Sequence, residues 1–264
     1  MTQVMILFAT LLGYSNTVAA AEDVEEIITD RPDFVNSATV VGRGQFQIEN
    51  GISIKRDRTG SQKARTITTP ALLRIGAGQA WEIRLESDGR TLYRTRDTTT
   101  GAQAAVSGYS DLSVGTKWHV TDGKGVLPAF ALLGNVMIDS GSKPFRGSSL
   151  RPSFQVAAEW ELSRDVSLGI MPGVTYDKDA DGGSFYAGMF GIVLGKSWTD
   201  RFRTFIEIAA PQIAPAGHGG TVATFDLGAA YLLSKQWQLD TALFRGLNSN
   251  TEDLTLALGI STKF

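Results

Sequence analysis

Two histidines, His119 and His218, and no cysteine bound the nucleophilic and metal chemistry open to this chain. A serine hydrolase needs a base beside its nucleophile and a third polar group to orient the ring. His119 ends an alternating apolar segment just before a short polar break. His218 lies in the glycine-rich run Ala216-Gly217-His218-Gly219-Gly220. No convergent triad is visible around either. Asp177, Asp179 and Asp181, followed by Gly182-Gly183, superficially resemble a calcium loop, but the bidentate glutamate that closes such a loop at its twelfth position is missing. The run reads as a solvated loop. The sequence therefore predicts no catalytic residue, no metal site and no cofactor.

The remaining candidates are charges that share one parity along alternating segments: Glu49, Arg74, Arg84, Asp111, Lys117, Arg151, Glu159, Arg203, Glu207, Asp226 and Asp240. Both signs are present. Facing a common lumen, such groups could guide a small solute, or pair with one another and fill a narrow space.

The elements that carry them repeat one theme from Gly44 onward. Segments of about ten residues alternate apolar and polar positions, then break, which is the signature of a transmembrane barrel. Phe154, Val156, Ala158, Trp160 and Leu162 form the clearest run; Phe46, Ile48, Ile52 and Ile54 begin the series, and Leu254, Leu256, Leu258 and Ile260 end it. The charged candidates hold the opposite parity. A Lys or Arg on the lipid side would cost about 2–4 kcal/mol at the membrane midplane, so the segregation matters energetically. The pattern predicts an all-β, antiparallel, up-and-down transmembrane β-barrel of about 12 strands with both termini periplasmic.

Alternation would also suit a soluble sandwich; the connections separate the two. Short turns at 76–80, 121–125, 163–165, 199–201 and 234–236 alternate with longer polar loops expected at 56–65, 89–107, 139–149, 177–184, 211–220 and 246–251. Trp81, Trp118, Trp160, Trp198 and Trp237 all lie near short turns. They predict an aromatic girdle at the periplasmic interface, because indole is apolar with one polar edge. Phe264, in phase with the lipid-facing residues of the last segment, is similar to the assembly signal of outer-membrane barrels.

Composition agrees. The net charge of −2, from 25 Lys+Arg against 27 Asp+Glu, gives nucleic acid no basic surface. A hydrophobic content of 42% excludes a disordered chain. No stretch approaches the ~20 apolar residues of a membrane helix. Val4 to Leu12 and the small residues ending in Ala19-Ala20-Ala21 read as a cleaved export signal over 1–21, although no Lys or Arg precedes the apolar run. The expected organisation is a signal peptide at 1–21, an N-terminal periplasmic segment at 22–43 and an outer-membrane barrel at 44–264.

Two stretches resemble a known family. Ile28-Thr29-Asp30-Arg31-Pro32-Asp33-Phe34, with Gly44-Gln45-Phe46-Gln47-Ile48-Glu49 after it, and Ser107-Gly108-Tyr109-Ser110-Asp111-Leu112-Ser113-Val114-Gly115-Thr116-Lys117 are similar to the outer-membrane "transporter" family named for the meta-pathway of phenol degradation. The resemblance implies an outer-membrane barrel and a role in the passage of small organic compounds. The expected function is passive or facilitated transport of such solutes. A non-conducting structural or adhesive surface barrel is the alternative, and a lipid-modifying enzyme using His119 or His218 a third reading. The expected partners are outer-membrane lipids, the barrel-assembly machinery through the C-terminal strand, and a small-molecule solute, with no nucleic acid.

Overall fold

The computed structural model describes residues 25–147, 149–178 and 182–264. The signal peptide expected at 1–21 lies outside these, as do Asp179 and Asp181 of the acidic run. Strands β1 (Phe46–Thr59), β2 (Gln62–Thr68), β3 (Ala71–Gly76), β4 (Trp81–Ser87), β5 (Arg90–Asp97), β6 (Gln103–Tyr109) and β7 (Leu112–Thr121) are followed by β8 (Ala129–Ile138), β9 (Arg151–Ser163), β10 (Val166–Lys178), β11 (Ser184–Ser197), β12 (Phe202–Ile213), β13 (Val222–Ser234), β14 (Trp237–Gly246) and β15 (Leu254–Lys263). All pairings are antiparallel, and β15 pairs with β1 from Gln47↔Lys263 to Arg56↔Leu254, closing the sheet.

Three pairs, β2/β3, β4/β5 and β6/β7, are each one long strand interrupted near its middle, so the closed barrel has 12 strands. The interruptions fall at Thr69-Pro70, Asp88-Gly89 and Ser110-Asp111. Pro70 has no N–H to give to a ladder. Gly89 adopts φ 64°, a conformation that disfavours a side chain, and a Cβ there would stand 2.2 Å from the Thr69 carbonyl.

The parity read from the sequence is the parity observed. Glu49, Arg74, Glu82 and Lys117 are fully buried inside, whereas Phe46, Ile83, Ile206, Leu227, Leu258 and Ile260 lie exposed on the outer wall. Most connections follow the expected alternation of length. Two do not. The polar stretches at 56–65 and 89–107 are not loops; most of their length is strand, in β1, β2, β5 and β6. These four continue the sheet past Arg56↔Leu254, the last rung shared by β1 and β15. Polar composition masked them, because a strand standing clear of the apolar band needs no apolar face.

Candidate functional site

The boundary at Gly44 separates strand from irregular chain, but not outside from inside: the stretch from Thr29 to Val41 lies within the barrel. The segment before β1 is anchored at the short-turn end, where Ile27 donates its N–H to the Lys235 carbonyl (2.7 Å) and Lys263 Nζ reaches the Glu26 carbonyl (3.1 Å). It rises into the lumen through Thr29-Asp30-Arg31-Pro32-Asp33-Phe34 and returns to the same end, where the Gly44 N–H meets the Gly76 carbonyl (3.0 Å).

A buried segment without regular structure must find partners for its main-chain N–H groups. Glutamates of the wall supply them. Glu49 of β1 accepts from Asp30 (3.1 Å) and Arg31 (3.1 Å); Glu207 of β12 accepts from Phe34 and Val35 (2.9 Å each). Glu82 of β4 accepts from Val41 (2.8 Å) and Glu159 of β9 from Ala38 (3.4 Å).

The segment's own carboxylate at Asp30 is held by cations. Lys117 Nζ lies 2.8 Å from both of its oxygens, Arg84 Nη1 2.5 Å and Arg74 Nη1 3.6 Å from Oδ2. Arg74 also meets Glu82 (2.9 Å) and Glu49 (3.2 Å), and Arg84 meets Glu82 (2.8 Å). Three cations, Arg74, Arg84 and Lys117, thus balance three anions, Asp30, Glu49 and Glu82. Burial opposes ionisation of Asp30, but Arg74, Lys117 and Arg84 together outweigh it and hold its carboxyl far below the usual aspartate range. Elsewhere, Arg31 Nη2 meets Asp240 (3.4 Å), and Arg203 Nη2 lies 3.4 Å from the Arg31 carbonyl.

Small apolar contacts complete the fit. Val35 packs with Met171, Val193, Phe205 and Ala242, and Ala38 with Ala131, Leu133 and Ala157. Strand glycines make room: a Cβ on Gly191 would stand 2.7 Å from Val35 and 2.8 Å from Phe34, and one on Gly76 only 1.9 Å from the Gly42 carbonyl.

On the long-loop side of the segment the lumen is open. One cavity of about 520 Å³ has Asp30 to Phe34 on its floor and Glu49, Arg84, Met171, Asp226 and Phe244 around it. A second of about 480 Å³ adjoins it through Glu86, Asp88, Asn135 and Gln155.

Most of the sequence-derived candidates thus meet the inserted segment. Asp226 lies opposite Glu207 across the β12–β13 ladder and takes a hydrogen bond from Thr224 Oγ1 (3.0 Å). Asp111 and Arg151 stand apart. They pair with each other, and Asp111 receives the N–H groups of Gly141 (2.8 Å) and Gly147 (2.7 Å), tying down the β8–β9 loop. Sequence reasoning missed Asp30 and Glu82 as site residues. The signal for Asp30 was the Thr29–Phe34 motif itself; for Glu82 it was the parity shared with Arg84.

The histidines are not brought together. His119 Nδ1 is 2.9 Å from the Ala38 carbonyl and Nε2 2.9 Å from Asp122, at the short-turn end. His218, in the β12–β13 loop, stacks on Phe185 with centroids 4.4 Å apart. Trp81 and Trp118 face each other across the β4–β7 ladder, stacked at 5.1 Å. Phe264 stacks on Phe46 at 4.8 Å, and the two residues exchange main-chain hydrogen bonds.

No curated protein matches this sequence. Among solved structures, the fold is similar to an outer membrane channel from Pseudomonas putida F1, with a TM-score of 0.62 and 11% identity over 90% of this chain and 100% of that one. It is also similar to the translocator domain of the autotransporter NalP from Neisseria meningitidis (0.55, 12%, 84% and 90%) and to the NanC porin (0.53, 11%, 83% and 100%). At such identities the likeness is one of fold: an outer-membrane β-barrel. The family model described as "Putative MetA-pathway of phenol degradation" matches residues 29–264, which take in Thr29 to Phe34 in the lumen and every strand of the barrel, and the chain belongs to that family.

Proposed function

We propose that this protein is an outer-membrane channel for small organic solutes, held closed by the segment that precedes its first strand. The observation that carries the reading is what fills the lumen. A barrel serving only as a scaffold can be filled by its own side chains. Here a separate stretch of chain occupies it, gripped mainly by ion pairs and by glutamate side chains on main-chain N–H groups, with an open vestibule above it. Such a grip leaves no large apolar surface stranded when the segment moves.

In this reading the short turns and both termini face the periplasm and the long loops face outward. The tryptophans near the short turns anchor the inner interface, and Phe264 marks the strand read by the assembly machinery. A solute enters the vestibule past Asp111 and Arg151 and passes Phe34, Met171, Met189 and Phe244, whose apolar faces lie among charged groups. That mixture suits small, partly polar organic molecules, and the family's link to phenol degradation points the same way.

The test is planar-bilayer recording and solute uptake into liposomes, comparing the native chain with Asp30→Ala/Glu207→Ala. The expected result is rare opening of the native protein and frequent opening of the variant. If the variant still migrates as a folded, heat-modifiable barrel and neither conducts nor admits phenol-sized solutes, the channel reading fails and the barrel is a sealed scaffold.

A further inference from the structure

The sheet extension formed by β1, β2, β5 and β6 carries an unusual outer face. Cross-strand partners in an antiparallel ladder point to the same side. Ser53, Thr68 and Thr91 form a buried, inward rung. The adjacent rung, Ile54, Ile67 and Leu92, therefore faces outward. Two residues further along, the outward rung is Arg56, Arg65 and Arg94; two further again, it is Arg58, Lys63 and Arg96. All six cations are exposed, while Asp57, Ala64 and Thr95 between them are only partly so.

Rungs two residues apart are about 7 Å apart, and neighbouring strands about 4.8 Å. The six cations thus cover a patch about 10 Å wide, one step beyond an apolar rung. A shallow depression of about 360 Å³ runs among them. Asp57 and Asp253 also line it, yet among the described residues no ion pair is formed by any of the six; the pair of Lys55 with Glu252 (3.6 Å) involves the inward parity. Arg90, two residues before Leu92 on the same face and also exposed, extends the strip toward the apolar band. Six like charges in two ranks repel one another and destabilise the empty surface. In the lumen, by contrast, Arg74, Arg84 and Lys117 are matched by Asp30, Glu49 and Glu82.

We infer that this outward face binds the phosphorylated headgroup of a glycolipid in the outer leaflet, with the ranks Arg56/Arg65/Arg94 and Arg58/Lys63/Arg96 receiving its phosphates. Position selects the occupant. The patch faces away from the lumen, so a solute in transit does not meet it, and it borders the apolar rung that ends the lipid-facing wall of β1. Guanidinium groups match phosphate oxygens in paired hydrogen bonds, and five of the six residues are arginine. The acyl chains of such a lipid would lie along Ile52, Ile54 and Ile67. The inference rests on the orientation adopted for the channel, with the long-loop end outward, but not on conduction.

The experiment is native mass spectrometry of the purified full chain in detergent. It is titrated in parallel with bis-phosphorylated lipid A, with lipid A whose phosphates have been removed, and with inorganic phosphate. The native chain should retain bis-phosphorylated lipid A at least about tenfold more tightly than the dephosphorylated form. Arg56→Gln/Arg65→Gln/Arg94→Gln should remove that preference, whereas Lys55→Gln, on the inward face, should keep it. Equal binding of the two lipids by the native chain overturns the proposal without recourse to any variant. So does saturation of the site by inorganic phosphate alone, which would make it a free-anion site. Loss of channel opening with the lipid preference intact would count against the proposed function and leave this inference standing.

Discussion

Lys117 places its ammonium 2.8 Å from each carboxylate oxygen of Asp30, a bond spanning 87 residues of sequence and joining the barrel wall to the segment that fills it. Asp30 is the one anion that the inserted segment gives to a cluster of three cations. Asp30→Asn leaves Arg74, Arg84 and Lys117 facing only Glu49 and Glu82. An uncompensated buried charge costs about 3–5 kcal/mol. The variant is expected to open far more often in bilayer recordings. Identical opening of Asp30→Asn and native protein would show that the cluster does not hold the segment.

Glu207 tests the other half of the grip. It receives the N–H groups of Phe34 and Val35, and Glu207→Ala leaves both without their acceptor. Amide hydrogen exchange at those two residues should accelerate by about tenfold, since a hydrogen bond contributes about 0.5–1.5 kcal/mol. Exchange in strands on the far side of the barrel, such as β8, should be unchanged.

Gly191 offers a steric route to the same state. Its place on β11 is open only because no Cβ occupies it; one would meet Val35 at 2.7 Å and Phe34 at 2.8 Å. Gly191→Leu should displace the segment and raise conductance while the barrel still shifts on heating in gels. Gly134 on β8 has nothing within 4 Å of its Cβ position, so Gly134→Ala should leave both properties as they are.

The stacked pair Trp81 and Trp118 makes a prediction about the wall alone. Aromatic pairs contribute about 0.5–1.5 kcal/mol beyond their burial. A double-mutant cycle with Trp81→Ala and Trp118→Ala, read as the denaturant midpoint of the folded band, should return a coupling in that range. Channel closure should not move.

The wall was legible in the sequence because lipid enforces a strict rule: apolar residues such as Ile83 and Leu258 must point out, and charges such as Arg84 and Glu207 must point in. Where that constraint lapses, so did legibility. β2, β5 and β6 continue past the apolar band, both their faces tolerate charge, and their composition reads as loop. The segment from Ile27 to Val41 has no period at all, since it forms neither helix nor strand, so only its motif marked it. Nothing in the spacing of Asp30, Glu82 and Lys117 foretold that they would meet. Glu82 and Lys117 meet as cross-strand partners of β4 and β7, a pairing that skips β5 and β6 in the chain, and Asp30 joins them because the segment before β1 turns into the lumen.

The wall also holds the segment through its main chain, and at positions gripped only that way it is largely indifferent to the side chain carried. Substitutions at the half-buried Ser37 and Thr39, whose main-chain carbonyls receive Lys117 and Arg74, can reshape the stopper without loosening it, leaving its chemistry free to drift with the solute while the lock stays the same. Proline is the exception, for it has no N–H to offer. It stands at Pro32, between Arg31, held by Glu49, and Phe34, held by Glu207; moved to 34, 35 or 41, it would take away the handle by which the wall holds on.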